Sequence, residues 1–439
     1  MKSILFILSF FPLLLFSQTS LNANLLFNWQ DSSLLGSSIF DNVYNEIWGF
    51  VQNDKEFAVI GSTAGTHIFD VSDPVNSTQV SFIAGKAQGP QIIHRDFHDH
   101  KGYLYIACDE GSSSLQIVDV SNLPDTAIVV YDSDELFDRA HNIFIDTLNS
   151  KMYTSNGTIY SLENPQEPTL LYQNSVLSSH DMYVRNDTAY INSQGNGLVV
   201  VDFSQTTLEN QDHQEIGSLL SYPQQGYNHS GWLSDDGNYY IMADENWGLD
   251  MKMLDVSDLS NIEVVSFISS GVDENSIPHN QIINGDFVYT AYYHDGLYVH
   301  NISNPLYPYL IAYYDSFTPD HHDSYMGAWG VYPFLPSGNI LVSDMQTGLY
   351  VIDIDYESAG VESELENKIN IYPNPSNDFI TVDLNESFFY DIYDLQSKKV
   401  SSVSIAQNKL IDLSSLNTGI YILKITTNNK VYTQKIFKK

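Results

Sequence analysis

The stretch His180-Asp181-Met182-Tyr183-Val184, Thr188-Ala189-Tyr190-Ile191-Asn192, Gly197-Leu198-Val199-Val200-Val201-Asp202 holds three short runs rich in β-branched and aromatic residues, separated by turn formers. Each run reads as a strand, and the short polar breaks join them as hairpins. The pattern recurs through residues 42–354 at a period of roughly 46 to 50 residues, the range of β-propeller blades.

Aligned on that stretch, the opening aromatic or imidazole falls at Trp48, His94, His141, His180, His229, His279 and Trp329, which counts seven blades. The third strand is plainest at Gly65–Val71, Leu115–Val120, Gly197–Asp202, Met251–Val256, Gly296–Ile302 and Gly348–Ile354, with a degenerate copy at Thr158–Leu162. Its glycine permits a tight turn into the strand. The aspartate near its end, followed by Ser-Asp-Pro or a similar triplet, folds a carboxylate onto turn amides. These aspartates are expected to be structural, on separate blades and too far apart to share an ion. A fourth strand follows each turn, as at Thr78–Ala84 and Glu263–Ser269, except in the last repeat, which ends at Ile354. That end leaves an open edge of unpaired amides. The strand-like run 24–29 has no blade of its own, so it is expected to fill the edge and close the ring.

Composition narrows the function. The chain has 439 residues, with 18 Lys and Arg against 54 Asp and Glu, a formal charge of -36. Such a chain is no nucleic-acid binder held by counterion release. A content of 43% hydrophobic and only 16% charged residues marks a folded body. The single cysteine, Cys108, excludes an internal disulfide. At the N-terminus, Lys2 precedes a stretch of 13 residues, Ile4 to Phe16, that is apolar apart from Ser9, and then Ser17. Residues 1–17 therefore read as a secretory signal peptide. No later run reaches the ~18 apolar residues of a transmembrane helix.

An acidic linker, 355–366, introduces a change of composition. Residues 361–439 hold nine basic and nine acidic residues, leaving 9 basic against 45 acidic in the first 360. Short strand-like runs across 367–439 predict a small β-sandwich. Its Ile371-Tyr372-Pro373-Asn374-Pro375, Asp412-Leu413-Ser414, Gly419-Ile420-Tyr421-Ile422-Leu423-Lys424 and closing Lys435–Lys439 resemble the type A sorting domain of the type IX secretion system. The resemblance rests on Pro373, Asn374, Pro375, Gly419, Tyr421 and Leu423. It implies a Gram-negative bacterium of the Bacteroidota, the type IX machinery as partner, and secretion to, or display on, the outer cell surface.

The body resembles the LVIVD-repeat propellers, and more closely the choice-of-anchor B proteins, at Ile47-Trp48-Gly49-Phe50, Ala140-His141-Asn142-Ile143, His180-Asp181, His229-Ser230-Gly231-Trp232, His279-Asn280 and Gly327-Ala328-Trp329-Gly330. That family shares a body and varies its tether, with no reaction assigned. One departure is His94, where the pattern has Trp before Arg95-Asp96, so a local rearrangement of the second blade is expected.

The first strand of each blade lines a propeller's channel. The ligand-binding candidates are therefore Trp48, His94, Arg95, His141, His180, Asp181, His229, His279 and Trp329. A metal would need three or four donors on one ion, and His141, His180, His229 and His279 are the candidates. Blade spacing is expected to hold these rings apart, each bonding a neighbouring carbonyl instead. Two further clusters are His94, His98 and His100, and Asp320-His321-His322-Asp323. Asp244 and Glu245 form an acid–base candidate beside Trp247, of which only one should reach a given pocket, because neighbours on a strand face opposite ways. No nucleophile elbow, phosphate loop, dinucleotide fingerprint or calcium loop is present. The reading is an all-β, seven-bladed propeller with a C-terminal sandwich, a surface binding module without a cofactor, its ligand a glycan or peptide. The alternative is a metal-assisted hydrolase built on the axial histidines.

Overall fold

The computed structural model describes residues 20–319, 321–357, 371–382, 384, 388–393, 398–406, 409–427 and 431–439. The signal segment 1–17, Asp320 and the linker beyond Glu357 lie outside them. Among the described residues the regular structure is strand throughout, apart from one 3-10 turn, Pro74–Asn76. The chain divides into two compact units, 1–359 and 360–439.

In the first unit seven antiparallel sheets follow one another in chain order. Their innermost strands are Tyr44–Gln52, Arg95–His100, Ile143–Asp146, Asp181–Arg185, Asn228–Leu233, Asn280–Asn284 and Ala328–Tyr332, which define blades 1 to 7. Each innermost strand neighbours the next, and that of blade 7 neighbours that of blade 1. The ring is therefore closed. Ala23–Trp29 pairs antiparallel with Gly348–Ile354, Ala23 opposite Ile354 and Trp29 opposite Leu349, so it is the outer strand of blade 7. Ser20–Leu21 adds a short fifth strand outside blade 6, against Tyr314 and Tyr313.

Because each sheet is covered on both faces by its neighbours, the middle strands are apolar on both sides. Phe57, Ala58, Val59 and Ile60 run consecutively at 0% exposure. The apolar core is split into wedges between blades. Between blades 1 and 2, Phe57, Val59 and Ile68 meet Phe97, Leu104 and Val118. Burial of each such side chain is worth ~1.5–3 kcal/mol, and a series of wedges holds the ring while Cys108 stays a free, buried thiol.

The third-strand glycine has a purpose beyond the turn. Gly348 has φ +90, and a Cβ there would lie 2.1 Å from the Trp29 carbonyl oxygen on the outer strand. The aspartates are structural: Oδ1 of Asp70, Asp119, Asp202 and Asp255 accepts from the amides of Ser72, Ser121, Ser204 and Ser257 at 3.1, 2.9, 2.7 and 3.0 Å.

The second unit pairs a three-stranded sheet with a four-stranded one. They enclose Ile380, Val382, Ile392, Ile411, Leu423 and Ile436. Asn374, between the two prolines, accepts from the Phe437 amide and donates to the Lys435 carbonyl, both at 2.8 Å, tying the start of the sandwich to its last strand. Tyr421 donates to the Asn417 carbonyl at 3.0 Å.

Candidate functional site: the histidine mouth of the channel

At the start of each innermost strand the chain turns toward the bore, and five imidazoles and one indole meet there. Ring centroids are 4.5 Å apart for His94 and His141, 4.1 Å for His141 and His180, and 4.2 Å for His180 and His229. The circle continues at 4.4 Å from His229 to His279, 4.6 Å to Trp329 and 5.3 Å back to His94. It is complete. The expectation that blade spacing keeps these rings apart is corrected, because each side chain points inward, where the blades converge.

Hydrogen bonds fix several of the rings. His141 Nδ1 bonds Asp109 Oδ2 at 2.9 Å, His94 Nδ1 bonds Glu110, and His279 Nδ1 bonds the Trp329 carbonyl. A carbonyl can only accept, so His279 carries its proton on Nδ1 and its lone pair on Nε2. Burial lowers His279 to about 3, and burial together with neighbouring imidazoles sets His180 and His229 well below the ordinary value. Burial opposes charge on His141 too, but the hydrogen bond and charge of Asp109 outweigh it and raise His141. Neutral rings, good donors to a cation, thus sit beside one ring biased toward protonation.

The mouth above the ring is a cavity of about 480 Å³ whose wall also includes Phe40, Asp109, Tyr227, Glu245, Tyr293 and Tyr325. Glu245 accepts from the Tyr293 hydroxyl at 2.6 Å and lies 3.8 Å from His229 Nε2. Burial pushes its carboxyl up to about 7, against the Tyr293 hydrogen bond. Its neighbour Asp244 turns the other way, to Lys252 Nζ at 2.7 Å. Sequence reasoning missed most of this wall, yet a signal for part of it exists. In an antiparallel sheet the end of the second strand lies beside the start of the first. Asp109, Glu245 and Tyr293 each immediately follow a second strand.

Below the histidines the bore narrows to a space of about 30 Å³ among Glu46, Asp96, Asn142, Asp181 and Asn280, room for only a water or two. Burial, then the Asp96 charge, pushes Glu46 and Asp181 up to about 8, and burial pushes Asp96 to about 7. Asp181 is therefore in the bore but one level below His180.

Trp48 and Arg95 are not in the ring. Trp48 packs tilted against His98 at 4.3 Å and edge-on against Tyr332 at 5.0 Å, in an aromatic tier with Phe144, Tyr183 and Trp232 at the far end of the bore. Trp48 lies opposite Val59 on the second strand, as Phe144 lies opposite Tyr153 and Trp232 opposite Ile241, so Trp48 is the counterpart of Phe144, not of His141. Arg95 points into the seam with blade 1, where its guanidinium donates to the Ser62 and Ala87 carbonyls, each at 2.8 Å. In blade 2 the innermost strand starts only at Arg95, and Glu110 holds the Ile93 and His94 amides at 3.0 Å ahead of it.

The remaining clusters are separate. His98 belongs to the aromatic tier, while His100 bonds Ser150 Oγ at 3.2 Å, so neither joins His94. On the loop, His322 bonds Asp295 at 2.7 Å and His294 bonds the Asp323 carbonyl at 3.2 Å.

The LVIVD repeat profile matches residues 100–129, 178–208 and 281–316, and the secretion system C-terminal sorting domain matches 370–439. No curated protein matches the chain. Among solved structures, YCF48 bound to D1 peptide is similar at a TM-score of 0.50 and 10% identity, over 72% of this chain and 94% of that one. The Cps50 (Swd1) propeller of Myceliophteria thermophila gives 0.49 and 10%, over 75% and 98%. PorZ, a surface component of the type IX secretion system of Porphyromonas gingivalis, gives 0.47 and 11%, over 93% of this chain but only 61% of PorZ. At such identity the YCF48 likeness speaks for the propeller fold alone. The chain thus carries LVIVD repeats within its β-propeller and a type IX sorting domain at residues 370–439, which indicate a secreted or cell-surface protein.

Proposed function

We propose that this chain is exported across the outer membrane of a Bacteroidota cell and works there as a binding module, with the histidine mouth as its ligand site. The closed circle of His94, His141, His180, His229, His279 and Trp329 beneath an aromatic-walled cavity carries the reading. Tyr227, Tyr293, Tyr325 and Trp329 offer faces on which a sugar or peptide side chain can stack, and the imidazoles and Glu245 offer hydrogen bonds that orient it. The LVIVD repeats also support kinship with choice-of-anchor B proteins, the C-terminal tail being the tether and 1–17 the export signal.

Two experiments test the reading. Deletion of 370–439 is expected to trap the protein in the periplasm; truncated protein on the cell surface refutes the export route. Glycan and peptide arrays are expected to yield a ligand whose capture is lost in Tyr325→Ala and Trp329→Ala. Capture indifferent to both changes would move the site elsewhere.

A second reading, metal-assisted hydrolysis, is favoured by Glu245 alone. A carboxyl poised near neutrality beside His229 suits a general base. Chelator-sensitive turnover lost in Glu245→Gln supports it, whereas capture by chelated protein supports the module.

A further inference from the structure

We propose that His141, His180 and His229 together hold one divalent transition-metal ion of the zinc and copper class at the channel mouth. The proposal rests on the module reading and deepens it, since it names an occupant of the same mouth.

One ligating atom from each of the three lies within 4.8 Å of the other two. Nitrogens bound to one tetrahedral ion at ~2.05 Å stand ~3.3 Å apart, so modest side-chain rotation completes the site. His229 lies on the innermost strand of blade 5, and His180 and His141 stand one and two residues ahead of those of blades 4 and 3, so strands anchor all three rings. His180 and His229 each use one ring nitrogen on the backbone of the next blade, at His229 and His279, as His279 does on the Trp329 carbonyl, which leaves the second nitrogen of each ring for an ion. Asp109 supplies the carboxylate partner that commonly orients a metal-bound imidazole, here His141.

The donor chemistry selects the ion. Three imidazoles suit zinc, copper or nickel, whereas magnesium and calcium need oxygen ligands. A formal charge of -36 concentrates cations near the protein. Three protein ligands leave the fourth position to the cavity, where water or a donor atom of the ligand completes the coordination. Two flanking sets, His94 with Asp109 and His141, and His229 with Glu245 and His279, share His141 and His229 with the central one. His180 alone belongs only to the central set, so it discriminates between the three.

The full chain, purified through a histidine-free tag and stripped with a chelator, is titrated with zinc and with copper, and bound metal is counted by elemental analysis. One equivalent is expected, with affinity falling by roughly 100-fold or more in His180→Ala. Absence of stoichiometric metal in the parent chain overturns the proposal. So does an equivalent retained in His180→Ala, which assigns the ion to a flanking set or to His294, His321 and His322. Because His180→Ala could fail to fold, electron paramagnetic resonance of the copper-loaded parent gives a second readout: couplings from three imidazole nitrogens support the site, and fewer refute it. Array capture by the stripped parent chain reports on the module reading alone, so the two readings fail separately.

Discussion

The side-chain amide of Asn280 in blade 6 donates to Oε2 of Glu46 in blade 1 at 2.8 Å, although 234 residues separate them. Blade 7 lies between these strands and gives way at Gly330, where a Cβ would sit 2.0 Å from Glu46 Oε1. Three blades therefore depend on one side chain crossing the place where the blade between them has none.

Glu46 gives a pH prediction. Burial first, and the Asp96 charge second, raise its carboxyl from 4.5 to about 8. A folded value above the unfolded one means that its contribution to stability is fully present below about pH 4.5 and is lost as pH rises through about 8. Glu46→Gln cannot ionise, and it keeps an acceptor oxygen for Asn280. Melting temperature across pH 5 to 9 is expected to fall less in the variant than in the parent, with the variant the more stable at pH 9. Parallel curves would show that Glu46 does not titrate in this range.

Gly348 seals the ring. Its positive φ and the 2.1 Å approach of a Cβ to the Trp29 carbonyl mean that Gly348→Ala strains the backbone by about 1–3 kcal/mol and also pushes the closing strand outward. The variant is expected to melt earlier and to be nicked by protease within residues 20–43. Gly271→Ala is the control, since Gly271 has φ +71 with nothing within 4 Å. An equal loss in both variants would mean that strain alone is at work and that the seam is not under pressure.

Lys252 and Asp244 form an ion pair at 2.7 Å with both side chains at 0% exposure. Asp244 also accepts from the Tyr222 hydroxyl and the Gly226 amide, each at 2.9 Å. Removing the cation alone leaves a buried carboxylate without its counter-charge, so Lys252→Met is expected to cost about 3–5 kcal/mol in a denaturant titration. Lys252→Met combined with Asp244→Asn should recover part of that loss. A double variant as unstable as the single one would show that packing of the lysine stem, not charge, is what matters there.

The blades are legible because repeats with hairpin turns can bury their apolar faces only by stacking on copies of themselves. Gly197–Asp202 and its relatives suffice to count them. The five histidines are legible by the same alignment, but Trp48 is not, because matching Trp48-Gly49 to Trp329-Gly330 by residue type ignores register: Trp48 pairs with Val59 well inside its strand, whereas Trp329 sits at the bulge between Ala328 and Gly330. Arg95 misleads because in blade 2 it stands between His94 and Asp96, and Asp96 takes the place in the bore that Asn142, Asp181 and Asn280 take directly after their histidines.

By itself, then, the amino-acid order determines the all-β class, the seven blades and the sorting domain, since these follow from local periodicity and from motifs read along the chain. Only the tertiary structure decides that His94, His141, His180, His229, His279 and Trp329 touch in one circle, that Glu245 rather than Asp244 faces it, and that Glu46 reaches across Gly330. Those contacts depend on how the blades converge at the axis, where an offset of a single residue along a strand turns a side chain from the channel to the seam.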